Sequence, residues 1–311
     1  MTQAGQVEGP LVAGIELGGT KCVCVLGTGP GDIRAEARIK TTTPVETLDA
    51  IDTVMRRWQD KHGFRAVGVA SFGPLQLDPA SRDYGHIVST PKPGWSGADV
   101  LGRARKWGRP VGFDTDVNAA AFAEGRWGAA QGLSSFGYVT VGTGIGVGAI
   151  VEGRSIRGLG HVEAGHLRVG RLPGSTFAGA CSFHGDCVEG LASGPAIAAR
   201  SGFPAEQLSR TDPAWDEVVH ALAGLFHNMI LTQAPERILM GGGLGMGQGH
   251  LLPRIRAALV ESLAGYAQGA RIAEGIDEFL VHPGLGHRAG PMGALALGLR
   301  AIEGVILEGP I

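Results

Sequence analysis

The chain is poor in charged and aromatic residues and carries no excess of either charge sign. Of its 311 residues, 18% are charged and 6% aromatic, and 27 basic residues against 29 acidic ones leave a net charge of −2. A nucleic-acid-binding protein normally has a basic stripe, and an acidic or basic tail needs a block of like charges. Neither is present, so we predict small-molecule partners and no nucleic acid.

Long apolar runs and a secretory leader are also missing. No apolar segment approaches the roughly 20 residues that span a bilayer. The first residues do not combine a basic segment with an apolar one, as a secretory signal does. We therefore expect a cytoplasmic protein that binds no membrane. The chain has only four cysteines, and in a reducing compartment a cysteine–histidine cluster more often binds a metal than forms a disulfide.

Glycine, in contrast, is abundant, with 53 residues that mostly fall in short clusters between apolar runs. This placement indicates turns and sites where the backbone approaches a ligand. The apolar periodicity predicts helices at residues 44–60, 98–106, 117–127, 215–233, 251–263 and 290–302. It predicts strands at residues 12–17, 21–26, 34–40, 65–71, 110–114, 136–141, 147–152, 237–240 and 278–281.

A hairpin with a glycine-rich turn, followed by mixed strands and helices, occurs twice in this pattern. The two copies open at residues 14–20 and 142–148. Such an alternation predicts an α/β fold with two domains that face each other across a cleft. The boundary is expected near Asp116, and the two glycine turns are expected to face each other with the Asp116 carboxylate directed at the gap.

The two hairpin turns could each hold phosphate oxygens. Glycine exposes backbone N–H groups with no Cβ in the way, and Lys21 adds a positive charge beside the first turn. Neither turn is a P-loop or a dinucleotide fingerprint, because a strand follows where a helix is required. A tight hairpin with no ligand is the alternative for either turn alone. The turn residues in question are Gly18, Gly19, Thr20, Gly142, Thr143 and Gly144.

A third glycine cluster and one aspartate stand at strand ends. Residues 241–245 follow a predicted strand, where α/β proteins usually bind ligands, although a long flexible turn is equally compatible with the sequence. Asp116 ends a strand and opens a helix. Its carboxylate could accept the proton of an attacking hydroxyl, which is the base that phosphoryl transfer needs. A helix N-cap is the alternative role.

A cysteine–histidine cluster predicts a metal site. Cys181, His184 and Cys187 lie within seven positions, and His166 lies upstream. Four nitrogen and sulfur ligands suit a closed, tetrahedral structural Zn²⁺ site. His161 could replace His166 as the fourth ligand, and a redox pair or unrelated loop thiols are the alternatives. The other two cysteines, Cys22 and Cys24, alternate with valines on a predicted strand, so we assign them to the core.

Taken in order, these motifs resemble those of the ROK family of sugar kinases, and within it the fructokinase branch, over residues 14–298. The resemblance implies two actin-like or hexokinase-like (ribonuclease H-like) domains, use of ATP, Mg²⁺ and a structural Zn²⁺, and a homodimer. It implies a small domain of residues 1–116, completed by the helix at about 290–311. Residues 117–289 then form a larger domain with the zinc loop.

The resemblance also implies roles for individual residues. Asp116 is the catalytic base, and the glycine cluster lies on the adenosine side. The implied sugar-binding residues are Thr115, Glu163, His166, Glu189, Gly73, Pro93, Gly94 and Trp95. The implied ATP and phosphate ligands are Gly18, Gly19, Thr20, Lys21, Gly142, Thr143, Gly144, Gly194, Gly242 and Gly243. The implied zinc ligands are His166, Cys181, His184 and Cys187.

Two departures from the common family pattern and one further resemblance favour the fructokinase branch. The zinc loop has the spacing Cys181-x₂-His184-x₂-Cys187, residues 90–95 resemble that branch near the sugar, and Glu16 stands where many members have aspartate. We therefore expect phosphorylation of a free hexose, fructose above all. A glucose, mannose or N-acylhexosamine kinase is the alternative. A sugar-sensing regulator is a second alternative, but it is expected to carry an added N-terminal DNA-binding domain, for which the sequence before Gly14 is too short. A non-catalytic sugar- or zinc-binding module is a third alternative, and the presence of Asp116 disfavours it.

Overall fold

The structure is a computed structural model that describes residues 9–304. It divides into two compact units. Unit 1 takes in the chain up to Arg126, the short segment Arg157–His161 and the chain from Arg288 onward. Unit 2 consists of Trp127–Ile156 and Val162–His287. The chain therefore leaves unit 1 after Arg126, returns for five residues, and returns again for the C-terminal helix.

Each unit is built around one five-stranded sheet. The strands are β1 Val12–Leu17, β2 Lys21–Gly29, β3 Asp32–Lys40, β4 Ala66–Ser71, β5 Val111–Thr115, β6 Phe136–Val141, β7 Ile145–Val151, β8 Arg154–Ser155, β9 Arg237–Gly241 and β10 Leu280–Val281. The strand orders are β3-β2-β1-β4-β5 in unit 1 and β10-β9-β6-β7-β8 in unit 2. The α/β class and the repeated hairpin predicted from the sequence are therefore confirmed.

Eleven α-helices occur among residues 9–304. They are α1 Pro44–Lys61, α2 Val100–Arg105, α3 Asp116–Trp127, α4 Val188–Ala192, α5 Gly194–Ser201, α6 Ala214–Gln233, α7 Gly243–Gly247, α8 Leu251–Leu263, α9 Gly269–Glu274, α10 Ile276–Phe279 and α11 Ala289–Ile302. Thr43 caps α1, because its hydroxyl accepts the N–H of Glu46. Within this part of the chain, no helix combines the length and apolar character needed to cross a membrane.

In unit 1, strand pairing brings three strand ends to one edge of the sheet. β1 is antiparallel to β2 and parallel to β4, so that Leu17 is paired with both Cys22 and Ser71. β5 runs parallel to β4 and ends at Thr115, opposite Ser71. Ligands in α/β proteins bind at the carboxyl ends of parallel strands. The first glycine turn and Asp116 therefore follow β1 and β5, the two strands on either side of β4, at the same edge of the sheet.

The C-terminal helix α11 packs against the unit 1 sheet through glycines. A Cβ on Gly68 of β4 would collide with the carbonyl oxygen of Ala294, and a Cβ on Gly298 would collide with the side chain of Val12. Cys22 and Cys24 lie fully buried in the same core, with their sulfur atoms 3.9 Å apart. The prediction that these two thiols are core residues is confirmed.

Gly68→Ala is expected to destabilise unit 1 by about 2–3 kcal/mol, because one extra methyl group forces α11 away from the sheet and overpacking of this kind is costly. Urea denaturation followed by circular dichroism measures the effect. Gly31→Ala is the matched control, since a Cβ there meets nothing within 4 Å. Equal stability of the two variants would contradict the tight helix–sheet contact.

In unit 2, β9 lies parallel to β6, which forms the hairpin with β7. Thr140 is paired with Gly241, so the third glycine cluster begins beside the end of β6. A large core lies behind the sheet and includes the fully buried Trp215 and Phe226 of α6. The second and third glycine motifs consequently meet at one sheet edge, as the first turn and Asp116 do in unit 1.

Three local predictions differ from the structure. Residues 276–279 form a helical turn where a strand was predicted at 278–281, because Asp277 and Glu278 suit the first turn of a helix and only Leu280–Val281 pair with β9. Helix α7 begins inside the third glycine cluster at Gly243, where no helix was predicted, and the predicted helix at residues 251–263 follows it as α8. Helices α4, α5 and α9 were not predicted either.

Candidate active site

The first glycine turn is fixed at one end and open at the other. The N–H of Gly18 donates to the carbonyl of Lys21 at 3.1 Å, and the carbonyl of Gly18 accepts the Thr41 hydroxyl at 2.8 Å. A Cβ built on Gly19 meets no atom within 4 Å. Gly19, Thr20 and Lys21 are exposed. The turn therefore presents the exposed backbone of Gly19 and Thr20 and one ammonium group to a ligand, as a phosphate cradle requires.

Asp116 is the first residue of α3 but not its N-cap. That role belongs to Thr115, whose hydroxyl accepts the N–H of Asn118 at 3.2 Å. Within residues 9–304, the Asp116 carboxylate accepts hydrogen bonds from nearby backbone N–H groups only, including that of Val117 at 2.9 Å. Burial raises the pKa of Asp116 to about 6, and these hydrogen bonds oppose the shift. A carboxylate with this pKa is ionised near neutral pH and still basic enough to accept a proton.

Glu16 lies close to the same groups. Its carboxylate rests against the first turn of α11, where a Cβ on Gly290 would collide with it. Burial raises the pKa of Glu16 to about 7, the negative charge of Asp116 adds to the shift, and the ammonium of Lys21 opposes it. The first glycine turn, Glu16 and Asp116 therefore interact electrostatically within unit 1.

A buried network that sequence reasoning missed holds the segment around Asp116. Asp114 is fully buried, and its Oδ1 accepts the N–H of Thr115 and the side-chain amide of Asn118, both at 2.8 Å. Its Oδ2 accepts from Arg157 at 2.7 Å. A buried carboxylate is tolerated when an opposite charge pairs with it and its oxygens accept hydrogen bonds. These contacts fix the strand end and the helix start on either side of Asp116.

Residues 90–95 of unit 1, which were predicted to lie near the sugar, include both exposed and buried side chains. Pro93 and Gly94 are exposed, and Gly94 has φ +78°. Trp95 is fully buried, donates its indole N–H to the Thr42 carbonyl at 2.8 Å and packs edge-on against Phe72. An indole in this position supports the loop from the core rather than presenting its face to a ligand. The Trp95 side chain therefore has no exposed surface with which to contact a sugar directly.

Three predicted ATP-binding segments meet at Gly142 in unit 2. The Gly142 carbonyl accepts the N–H of Gly194 at 2.8 Å, and a Cβ on Gly142 would lie 3.9 Å from the Gly243 nitrogen. Thr143, at the tip of the turn, is exposed. Gly242 has φ +86°, and a Cβ there would lie 2.7 Å from the Thr140 hydroxyl oxygen. The second turn, the start of α5 and the third glycine cluster thus form one glycine-lined surface.

The predicted sugar-binding residues of unit 2 lie on elements packed against the second turn. Glu163 is exposed and precedes a single 3₁₀ turn, Ala164–His166. A Cβ on Gly165 in that turn would collide with the Ile145 carbonyl. Glu189 projects from α4, and its Oε2 accepts the Ile145 N–H at 3.0 Å. Both segments therefore contact the residue that follows the second glycine turn.

The cysteine–histidine cluster is assembled with metal-site geometry. The ligand atoms of His166, Cys181, His184 and Cys187 all lie within 4.8 Å of one another. The two histidine Nδ1 atoms are 3.3 Å apart. The Nδ1 of His166 is 3.6 Å from each sulfur, and the Nδ1 of His184 is 3.7 Å from Cys181 Sγ. Zn–N and Zn–S bonds of about 2.0 and 2.3 Å give tetrahedral edges of about 3.3 Å (N–N) and about 3.5 Å (N–S). The donor set fits zinc.

His161 is not part of this cluster. It belongs to unit 1, where its Nε2 accepts the N–H of Leu75 at 3.0 Å. Its ring also lies 3.4 Å from the position of a Cβ on Gly73, which was predicted to lie near the sugar. The alternative in which His161 replaces His166 as fourth metal ligand is therefore wrong.

Comparison with known proteins gives consistent findings. The family model described as "ROK family" matches residues 12–301. The chain is 41% identical to a fructokinase from Zymomonas mobilis over 296 residues, 92% of this chain and 96% of that protein. It is 38% identical to a fructokinase from Pediococcus pentosaceus over 294 residues, 94% and 99% of the two chains.

A solved structure agrees with the fold. A ROK family glucokinase from Streptomyces griseus, crystallised in complex with glucose and AMPPNP, matches with a TM-score of 0.70 at 25% identity. The match covers 93% of this chain and 99% of the glucokinase. The two mixed sheets with their helices are therefore the two-domain α/β fold of sugar kinases.

Proposed function

Because the chain belongs to the ROK family, we propose that it is an ATP-dependent fructokinase that converts ATP and D-fructose to ADP and fructose 6-phosphate. The observation that carries this proposal is the identity of 38–41% with fructokinases over at least 92% of the chain. Identity with the solved glucokinase is only 25%. A sugar phosphotransferase also accounts for two phosphate-type turns and for the raised pKa of the Asp116 carboxylate.

Asp116 is the proposed catalytic base. Its carboxylate accepts the proton of the attacking hydroxyl as that oxygen bonds to the γ-phosphorus and the bond to the β-γ bridging oxygen breaks. The proton is then carried by Asp116, and ADP is the leaving group. The Asp114 network positions this residue by fixing the backbone on both sides. Magnesium bound with ATP would neutralise charge on the phosphates.

The backbone N–H groups of the two glycine turns, with Thr20, Lys21 and Thr143, are the proposed phosphate ligands. Positive charge and open N–H groups hold phosphate oxygens without covalent chemistry, which is most of what phosphoryl transfer asks of a protein. The surface formed by Gly142, Gly194, Gly242 and Gly243 is the proposed nucleotide site of unit 2. The absence of side chains there lets the backbone approach the nucleotide closely.

Glu163, His166 and Glu189 are the proposed sugar ligands. Carboxylates accept hydroxyl hydrogen bonds strongly. His166 directs Nδ1 at the cysteines, so Nε2 carries the proton and can donate to a sugar oxygen once zinc occupies the cluster. The proposed zinc ion is structural, because four protein ligands leave no open position. The homodimer and the cytoplasmic location stay predictions.

The test of the proposal is turnover. Purified protein is assayed for ADP release, through a coupled reaction, with fructose, glucose, mannose and N-acetylmannosamine at equal concentrations. Fructose is expected to give a kcat/KM at least 100-fold above the other sugars, since a site that pairs its polar groups with one arrangement of hydroxyls rejects others strongly. A higher kcat/KM for an aldohexose or a hexosamine would assign the enzyme to that substrate instead.

The pH profile is expected to follow the raised carboxyl pKa values. The pKa of Asp116 is raised to about 6, so the base form dominates above that value and is lost below it. Log kcat/KM for fructose should rise with pH at a slope of about one below pH 6 and level off above about pH 7, the range in which Glu16, whose pKa is about 7, also loses its proton. Steady-state rates between pH 5 and 8.5 measure this pH dependence of kcat/KM. A profile that is flat from pH 5 to 7 would contradict proton transfer to Asp116.

A further inference from the structure

Glu189 touches the second phosphate turn directly, although it lies 44 positions further along the chain. Its Oε2 accepts the Ile145 N–H at 3.0 Å. A Cβ on Gly144 would lie 2.8 Å from the same oxygen. The carboxylate therefore packs against the Gly144–Ile145 peptide at the point where the turn joins β7. A hydrogen bond from a backbone N–H to an ionised carboxylate is among the stronger ones in proteins.

The opposite side of the same residue is held by the sugar-binding segment. A Cβ at position 165 would collide with the Ile145 carbonyl oxygen, so only glycine fits at this position. Ile145 itself is buried. Its N–H is thus held by α4 and its carbonyl is covered by the 3₁₀ turn. The position of the second turn depends on both segments that carry the proposed sugar ligands.

The other carboxylate oxygen of Glu189 is available to a ligand. Among residues 9–304, Oε1 makes no hydrogen bond to a protein group, and the side chain is only partly buried. An ionised carboxylate with one oxygen bonded can accept a hydroxyl hydrogen on the other. One side chain can therefore contact a sugar hydroxyl and the phosphate turn at the same time.

We propose that Glu189 couples the two substrates: Oε2 holds the second phosphate turn through Ile145, Oε1 receives a sugar hydroxyl, and each substrate raises the affinity for the other. This inference rests on the proposed function. A sugar that fixes the carboxylate also fixes the Ile145 N–H, so the turn meets the nucleotide already ordered. Linkage then requires that the nucleotide raise sugar affinity by the same factor.

Calorimetric titration with the non-hydrolysable nucleotide Mg-AMPPNP tests the coupling. In the parent protein, saturating fructose is expected to tighten AMPPNP binding about tenfold, within the usual range of about 5- to 150-fold for coupled sites. Glu189→Ala should lower this factor to about 1–3 and should also weaken AMPPNP binding in the absence of fructose. Glu189→Gln keeps an acceptor for the Ile145 N–H, so AMPPNP binding without fructose should stay within about twofold of the parent value.

Glu163→Ala is the matched control. It removes a carboxylate from the neighbouring segment without removing the Ile145 contact, so it should weaken fructose binding while the coupling factor at saturating fructose stays near the parent value. A coupling factor in Glu189→Ala equal to that of the parent would overturn the proposal. The same conclusion would follow if Glu163→Ala abolished coupling as completely as Glu189→Ala.

Hydrogen exchange at the Ile145 amide separates this inference from the proposed function. The amide should exchange at least tenfold faster in Glu189→Ala than in the parent and Glu189→Gln proteins, with or without substrates, because only alanine removes the acceptor. If the parent phosphorylates no hexose but the exchange result holds, the proposed function fails and the contact with the turn stands. If fructose is phosphorylated and exchange is unchanged in Glu189→Ala, the coupling inference fails alone.

Discussion

Asp116→Asn is expected to lower kcat for fructose phosphorylation by about a thousandfold or more, with a much smaller change in the KM for fructose. Asparagine has nearly the shape of aspartate and keeps a carbonyl oxygen for the Val117 N–H, so the local structure should survive. What it loses is the ability to accept a proton. General base catalysis alone contributes about 10²- to 10⁴-fold, and loss of the hydroxyl's orientation adds to this.

The measurement is steady-state ADP release with saturating ATP, accompanied by thermal melting to confirm that the variant is folded. Asp60→Asn is the matched control, because Asp60 is an exposed residue of α1 and its substitution should leave kcat unchanged. The residual activity of Asp116→Asn should also lose the rise in rate below pH 6. A folded variant that keeps most of its turnover would remove Asp116 from the mechanism.

Parts of the molecule with a local signal were predictable from the sequence. Helices α1, α3, α6, α8 and α11 each have continuous apolar periodicity, and their predicted bounds lie within one residue of the observed ones. The two glycine turns were found because a hairpin turn is specified by neighbouring residues. Helix α5 also carried a signal that was not used: Ser193 caps it, Pro195 lies in its first turn, and Gly202 ends it with φ +80°.

The contacts that organise the candidate site had no such signal. Arg157 meets Asp114 across 43 positions, and Glu189 meets Ile145 across 44. Arg157 lies in a glycine-rich segment whose sequence is typical of an ordinary exposed turn. No periodic pattern indicates that the chain returns to unit 1 at this residue. Its pairing with a buried carboxylate depends on tertiary structure, which local propensity does not encode. The same holds for Trp95, whose burial reflects packing on Phe72 rather than its own segment.

The metal cluster could be predicted from the sequence only in part. The spacing of Cys181, His184 and Cys187 identified three ligands, but two upstream histidines were compatible with the fourth position. Only the fold distinguishes them. His166 ends a turn that packs on β7, whereas His161 lies in the segment that returns to unit 1. Long-range placement of a single side chain therefore decided the composition of the cluster.

Cys181→Ser is expected to abolish stoichiometric zinc binding and to lower the melting temperature by about 10 °C or more. A closed four-ligand site binds zinc with an apparent free energy of about 10–16 kcal/mol in small metal-folded peptides, and much of that energy is folding energy. The loop around the cluster has almost no regular secondary structure. Residues 170–187 contain no α-helix and no strand longer than an isolated bridge.

The loss should reach both proposed substrate sites because Cys187 caps α4. Its sulfur accepts the Gly190 N–H at 3.5 Å, and Glu189 stands between these two residues. When the cluster loosens, the start of α4 loses its anchor and the Glu189 carboxylate loses its fixed position against Ile145. We therefore expect the KM values for fructose and for ATP to rise together, each by about tenfold, since a charged-acceptor hydrogen bond is worth at least that factor.

Elemental analysis, calorimetric melting and steady-state kinetics of the parent and the variant measure these effects. Cys22→Ala is the matched control: it removes a buried thiol of unit 1 and should leave the zinc content at one ion per chain. Dialysis of the parent protein against a strong chelator should reproduce the Cys181→Ser behaviour, and added zinc should reverse it only in the parent. Parent protein that contains no zinc, or that melts at the same temperature as Cys181→Ser, would show that the four side chains meet without holding a metal.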